Sequence, residues 1–479
     1  MGIGSGPEIA LDSKWRRTTL LAIAGLVVVQ AALLILFAFD WRVPVVLIGG
    51  LVTVTVLLDR PVAGVGLIIA SRLISTGSTS FFSIGKLNIG LFEPVLLIGL
   101  ISLGLRAVFV GKRLWRDWPW QGVFLAHAAW TAVGLTWCVR ASDGFKELVG
   151  MAVILATAVV IMAFVETWED IKAMLWFWIL SCVFIGLLAT LGDSIGLTDY
   201  GQQWKAAEGG RETGLGQQPN WFAMNLSFAV HSAAAFALVQ KRPLYRWGLI
   251  FCAIFIFYAM MTSGSRGGAY CILIGGFTAS FGNAVFRRWF VRGIGVIALL
   301  GGMVFALNAD ELGSGINRII ANMDVLFARD IRGMNWTVCV RGLMDTYGVG
   351  IGPGGYIDIL QKYNDWLYHS VYRYPHGIFW GEMVHGGVVG IVLLIAQVWA
   401  VAWMAKETIR LTKGTEAEVL AWSMPASMLG YFSWSFVEFS YDEKPFWEWL
   451  ALYTALYLVA KHAHEKSIPP IPEWKLEVA

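Results

Sequence analysis

The sequence predicts an all-α, polytopic membrane protein, and three observations carry that expectation. Hydrophobic residues fill 57% of the 479 positions and charged residues only 14%, against about 25% charged in soluble globular domains. Apolar runs of about twenty residues, enough to cross the hydrocarbon core as a helix, recur along the sequence. Lipid offers no partners to backbone N–H and C=O groups, so such runs become helices. Third, the basic residues between the runs fall on alternate connections, as the positive-inside rule requires.

Taken in order, the runs give about twelve to fourteen crossings. The first, near 18–39, is too long for the core of a secretory signal, and no cleavage site follows it, so it is expected to remain as an anchor. Lys14, Arg16 and Arg17 before it point to a cytoplasmic N-terminus. Further crossings are expected near 43–58, 61–75, 89–105, 121–138, 147–165, 172–191, 220–239, 246–262, 267–283, 293–307, 377–404, 417–437 and 446–461. The second and third are short and divided only by Asp59-Arg60-Pro61, so they also read as one broken hairpin. From a cytoplasmic N-terminus, the inner connections then carry Arg60, the Arg106 to Arg116 cluster, Lys172, Lys241 to Arg246, Arg287 to Arg292, and Lys406 to Lys413. Lys461, Lys466 and Lys475 place the C-terminus on the same side.

Residues 1–479 are read as a single integral membrane domain whose polar chemistry faces outward, in two segments. Residues 192–219 hold a glycine-rich stretch around Arg211. Residues 308–375 form the one long loop, expected to lie over the membrane domain as short amphipathic helices, without the apolar content for a core of its own. The net charge of +3 gives no reason to expect a nucleic-acid partner. Five scattered cysteines form neither a disulfide framework nor a CxxC pair. With no Walker, HExxH or EF-hand pattern, no metal and no cofactor are expected.

The candidate chemistry is cationic. Thr262-Ser263-Gly264-Ser265-Arg266-Gly267-Gly268 sits between two apolar runs. An arginine stays charged there and marks a site by default, its small neighbours letting donors approach an anion. The alternative is an arginine snorkelling to the headgroups. Arg211 lies just before the crossing that opens at Pro219-Asn220, where free backbone N–H groups favour anions, against the reading of an ordinary loop arginine. In the long loop, Arg332, Asn335, Trp336 and Arg341 fall at helical spacing, and Asn335-Trp336-Thr337 is read as a chance glycosylation sequon. Gly350, Gly352 and Gly355 satisfy GxGxxG, but Pro353 interrupts it and no strand–helix unit surrounds it, so a tight turn reaching a ligand is preferred to a dinucleotide site.

His376, after Tyr374-Pro375, opens an apolar run and can move a proton or bond a phosphate, against the commoner reading of a satisfied interfacial histidine. His385, nine residues on, would face the other side of a continuous helix, so the two are not expected to share a ligand. His127 and His231 read as packed between helices, and Glu382 and Glu93 as carboxylates that pair across helices. Glu438, Asp442 and Glu443 cluster with Tyr441 in a late loop read as a solvated turn.

In the order and sidedness of these motifs, residues 205–400 resemble the O-antigen ligase and polymerase superfamily of bacterial membrane proteins. Arg211, Thr213, Gly214, Pro219 and Asn220 match its Arg-Thr-Gly segment ending in Pro-Asn; Ser265, Arg266 and Gly267 match its Ser-Arg-Gly motif. Gly350, Gly352, His376, Glu382 and Gly390 match its loop end and His-led helix. One departure is Gly377, where the family commonly has Asn. The resemblance implies a GT-C-like glycosyltransferase at the periplasmic face of the bacterial inner membrane. Its donor would be a polyprenyl-diphosphate-linked glycan, its acceptor a glycan or lipid A–core, with no metal or nucleotide sugar. Arg211 and Arg266 would hold the donor diphosphate and His376 would deprotonate or orient the acceptor hydroxyl. Arg332, Arg341, Glu382 and Asn220 would contact substrate. Repeat-unit polymerase is preferred narrowly to O-antigen ligase, with transfer to a pilin hydroxyl behind both. A lipid-linked oligosaccharide flippase is the competing class.

Overall fold

The structure, a computed structural model, is described over residues 59–74, 82–84, 87–89, 92–113, 116–191, 219–284, 286–288, 290–293, 295, 331–369, 374–436, 444–465 and 468–473. These residues are helical apart from a short antiparallel hairpin of β1 (Phe82–Ile84) and β2 (Leu87–Ile89), with Phe82 opposite Ile89. The first half holds α1 (Pro61–Ile74), α2 (Phe92–Val110), α3 (Gln121–Gly134), α4 (Ala141–Phe164) and α5 (Trp168–Leu191). Then come α6 (Pro219–Val239), α7 (Pro243–Thr262) and α8 (Arg266–Gly282). The long loop supplies α9 (Ile331–Asp345), α10 (Tyr356–Tyr363) and α11 (Asp365–His369). The chain closes with α12 (Ile378–His385), α13 (Gly387–Thr412), α14 (Glu418–Ser435) and α15 (Lys444–His464).

The expected crossings that fall on described residues are all helical. Those near 18–39 and 43–58, and all but the start of that near 293–307, lie outside them. Six helices (α2, α4, α5, α6, α7 and α13) are long and apolar enough to cross a membrane, and α1 and α8 are shorter apolar helices. α4 starts at Ala141, six residues before the apolar run alone indicates. Its polar opening, Ser142-Asp143, puts a carboxylate in the first turn, where it complements the helix dipole.

The outer helices carry exposed apolar stripes at helical spacing. On α7 these are Leu244, Trp247, Phe251, Ile254 and Tyr258; on α13 they are Val388, Val392, Ile395 and Trp399. In water such contiguous surface would be a liability, and in lipid it is the solvated face. α15 is the opposite case. Every residue from Trp447 to Ala460 is buried, packed by α1, α4, α5, α6, α13 and α14. Protein encloses it, so it can carry Glu448 and Thr454, and Thr454 accepts a 2.9 Å hydrogen bond from the Trp120 indole. Trp178, Phe228, Tyr431 and Trp449 stack at its centre, Trp178 and Trp449 with centroids 4.8 Å apart.

One end of the bundle is laced by ion pairs. Lys112 and Arg116 both reach Glu166, and Lys241 reaches Glu416 at 3.2 Å. The basic residues assigned to inner connections thus gather where α2, α4 and α6 end and α5 and α7 begin.

The span expected at 377–404 is two helices rather than one. The chain breaks at Gly386-Gly387, with Gly387 in the left-handed region at φ +63°. A break strands the last carbonyls of α12, and each unsatisfied group at membrane depth costs several kcal/mol. The glycine turn between α9 and α10 satisfies them. Ile351 N donates to Val384 O at 2.9 Å and Gly352 N to His385 O at 3.1 Å, while Gly348 O accepts from Val388 N at 2.9 Å. Trp130 Nε1 donates to Gly386 O at 2.8 Å. The turn therefore reaches a helix end, where a ligand contact was expected. A Cβ on Gly350 would lie 2.5 Å from both His385 O and Gly387 N, so only glycine fits that approach. The loop helices are held from the same side: Val338, Cys339, Tyr356, Ile359 and Leu360 form a small core with Met383 and Val384 of α12. The loop thus completes its core with side chains from α12.

Gly387→Ala combines a left-handed backbone with a Cβ 2.2 Å from Gly348 O, and is expected to destabilise by more than about 2 kcal/mol. In detergent its thermal unfolding midpoint should fall clearly. Gly122→Ala, in open space on α3, should leave the midpoint level or slightly higher. Equal midpoints for the two variants would remove this account of the break.

Candidate functional site

At the end of the bundle away from those ion pairs, α3, α4, α12, α10 and the glycine turn line a cavity of about 300 Å3. Its wall includes His127 of α3, Asp143 and Glu147 of α4, Tyr374 and His376 of the approach to α12, and Glu382 and His385 of α12. Pro353 and Gly354 of the glycine turn roof it.

His376 is buried, at 4% exposure, and its backbone sits in the left-handed region at φ +50°. That conformation costs a non-glycine residue of the order of 1 kcal/mol, and it persists only where the surroundings fix it. They do so on three sides. The His376 carbonyl accepts from Trp336 Nε1 at 3.0 Å, Trp336 stacks on Trp380 at 5.0 Å, and the imidazole lies 3.9 Å from the Tyr374 ring, centroid to centroid. Gly377, at φ +137°, passes so close to α14 that a Cβ would stand 2.2 Å from Phe436 O. The departure from the resembled pattern at this position thus has a local cause, since no asparagine fits on that backbone.

His376 precedes α12 and leaves the helical path, so the nine-residue spacing to His385 does not set their relative directions. Both line the one cavity, contrary to the sequence expectation. His385 Nδ1 lies 3.6 Å from Glu147 Oε2, and Glu147 Oε1 accepts from Gly354 N at 2.9 Å. Glu382 pairs across helices as expected: its Oε2 is 2.8 Å from His127 Nε2. His127 is buried between helices, as read, and also reaches the cavity, which was not foreseen. His231 packs as expected, against Ile272 O at 3.1 Å. Beside the cavity, Arg140 clamps Asp358 of α10 at 3.0 Å, fixing the loop helices to the α3–α4 turn. Burial raises the Tyr356 phenol above its ordinary range, so it stays a donor, and it bonds Asn335 Oδ1. That bond and full burial close Asn335 to glycosylation.

Among the described residues the cavity wall holds carboxylates and imidazoles and no arginine or lysine. Arg211, Glu438, Asp442 and Glu443 lie outside the described residues, as do the side chains of Arg266 and Arg332. The backbone of Arg266 opens α8, whose cap is Ser265, its hydroxyl accepting from Gly268 N at 3.4 Å. Asn220 is in the first turn of the neighbouring α6, and Gly268 packs on Ala223 at the start of its second turn. Gly267 packs on the Trp434 indole, two residues before the Phe436 carbonyl that Gly377 meets. The start of α8 and the approach to α12 therefore flank the same final turn of α14. Arg332 sits one turn before Trp336 on α9. Arg341 stands exposed, its guanidinium 5.5 Å over the Tyr363 ring, and does not line the cavity. No group of histidine, cysteine and carboxylate residues among the described residues could hold a metal ion.

No protein-family model matches the chain, and no curated protein matches it.

Gly377→Asn is expected to lower stability by roughly 2 kcal/mol or more, read as a lower thermal midpoint in detergent. It should also make His376 reactive to diethyl pyrocarbonate. An unchanged midpoint with His376 still protected would mean that the Phe436 contact does not hold the imidazole in place.

Proposed function

We propose that the protein is a membrane glycosyltransferase of cell-surface polysaccharide synthesis, with a GT-C-like fold. It moves a polyprenyl-diphosphate-linked glycan onto an acceptor hydroxyl at the periplasmic face of a bacterial inner membrane, most simply as a repeat-unit polymerase. What carries this is the juxtaposition at the last turn of α14. A buried, rigidly held imidazole on the cavity wall lies to one side, and paired helix starts bearing Arg266 and Asn220 lie to the other. Helix N-termini present about half a positive charge and free N–H groups, which suits a diphosphate. A guanidinium beside them would add charge-assisted bonds that strengthen as the leaving group gains charge. In this reading Arg211 and Arg266 hold the diphosphate, with Arg332 and Asn220 in support. The acidic cavity repels phosphate and takes the acceptor hydroxyl, which His376 orients or deprotonates. Because diphosphate is already a good leaving group, the chemistry calls for no metal and no cofactor. The gathering of basic residues at the opposite end supports cytoplasmic termini and an outward-facing cavity.

One feature favours the second reading, a flippase for the same lipid-linked glycan. The α12–α13 break lines a cavity, and transporters build substrate sites on discontinuous helices. Substrate fate separates the two. Arg266→Ala in a transferase should cut turnover by about a hundredfold or more, and both Arg266→Ala and His376→Ala should leave flipped donor accumulating on the outer leaflet. Donor trapped on the cytoplasmic leaflet would overturn the transferase. In a deletion strain, single-repeat products mark a lost polymerase, and long chains stranded on the lipid carrier mark a lost ligase.

A further inference from the structure

We propose that His127 and Glu382 are the proton-accepting pair of the cavity, and that His376 orients the acceptor without taking its proton. The proposal rests on the glycosyl-transfer reading and assigns its base.

Three carboxylates reach the cavity, and two are committed elsewhere. Asp143 Oδ1 accepts from Lys146 at 2.8 Å. Glu147 holds the glycine turn through Gly354 N, and its second oxygen stands 3.6 Å from His385, beyond a hydrogen bond. Glu382 is different. It meets an imidazole at 2.8 Å, with the two side chains 3% and 11% exposed. α13 leaves room for the carboxylate: a Cβ on Gly390 would come within 3.4 Å of Glu382 Oε2. Gln397 of α13 approaches the same imidazole. A buried ionisable pair costs stability relative to apolar packing, so its place on a cavity wall calls for a use.

An imidazole bonded to one oxygen of a carboxylate holds that carboxylate in a fixed direction, which suits it to take a proton. In the proposed step His127 Nε2 donates to one oxygen of the Glu382 carboxylate, and the carboxylate takes the acceptor's proton. As the acceptor oxygen bonds the anomeric carbon, its O–H bond breaks and the proton passes to Glu382. The bond from that carbon to the diphosphate oxygen breaks, and the diphosphate leaves with the electron pair. Glu382 then returns the proton to water through the cavity. His376 suits the other task, because its backbone and ring are both pinned.

The other titratable groups around the pair are Asp143 and Glu147 of α4, His385 of α12, Tyr356 of α10, and Tyr374 and His376. α13 carries no charged residue from Gly387 to Ala405, and α3 has no other titratable group. The test is the pH dependence of turnover by full-length protein in proteoliposomes, supplied with the polyprenyl-diphosphate-linked glycan extracted from the host bacterium. Glu382→Gln should lower kcat by about 10²–10⁴-fold, leave the donor KM little changed, and abolish the acid limb of the profile. His127→Gln, which keeps an N–H for Glu382, should lower kcat less and shift that limb, and it carries the test if Glu382→Gln does not fold. His376→Gln should raise the acceptor KM and keep the limb. An acid limb that survives in Glu382→Gln and vanishes in His376→Gln overturns the proposal while leaving the transferase standing. A folded wild type that binds the lipid-linked glycan yet forms no glycosidic bond removes the transferase reading, and this assignment with it.

Discussion

The end of α12 sets the terms for everything around the cavity. A helix that stops inside a membrane bundle leaves carbonyls that nothing in lipid can satisfy. Here Ile351 N, Gly352 N and the Trp130 indole satisfy them, at 2.8–3.1 Å. That requirement explains the glycine turn, since a side chain at Gly350 would collide with His385 O. It also explains why residues 331–369 pack against the bundle. The loop is bound by backbone hydrogen bonds at its turn, by a small shared core at Val338, Leu360 and Val384, and by Arg140 at its edge. The cavity is the space left beneath that closure, and its walls are the residues nearest the break.

Charge is divided around the last turn of α14. On the α12 side lie imidazoles and carboxylates; on the α6–α8 side lie two helix starts with their positive ends together. A single pocket lined by both would neutralise itself. Trp434 meets the α8 side and Phe436 the α12 side, so the two environments differ in character across the end of α14. Pockets commonly divide their work in this way, with a few placed polar groups setting orientation.

Much of the fold was legible in the sequence because lipid imposes one rule on every span. Apolar length located the described helices of the bundle, six of them long and apolar enough to cross a membrane, and the helical spacing of Arg332, Trp336 and Arg341 located α9. What the pattern missed was tertiary. The Gly386-Gly387 pair was visible as a breaker, but an apolar run extends through it, and periodicity alone favours one long helix. His376 and His385 were separated by a helical wheel that does not apply, since the helix begins after His376. His127 looked like packing because its own helix gives no sign of the partner 255 residues away. Arg341 carried the same charge as the other candidates, and only its stacking on Tyr363 shows that it faces elsewhere.

The enclosure of α15 bears on how the molecule is made. A segment carrying Glu448, Thr454 and Tyr453, with no face turned to lipid, has little reason to leave the translocation channel sideways on hydrophobicity alone. Its neighbours α1, α4, α5, α6, α13 and α14 are all synthesised before it, and the slot they surround is where those polar groups find partners. Entry into the bilayer and assembly of the tertiary structure are therefore one event for this helix. Faults in the early helices should surface as failure to integrate the late one.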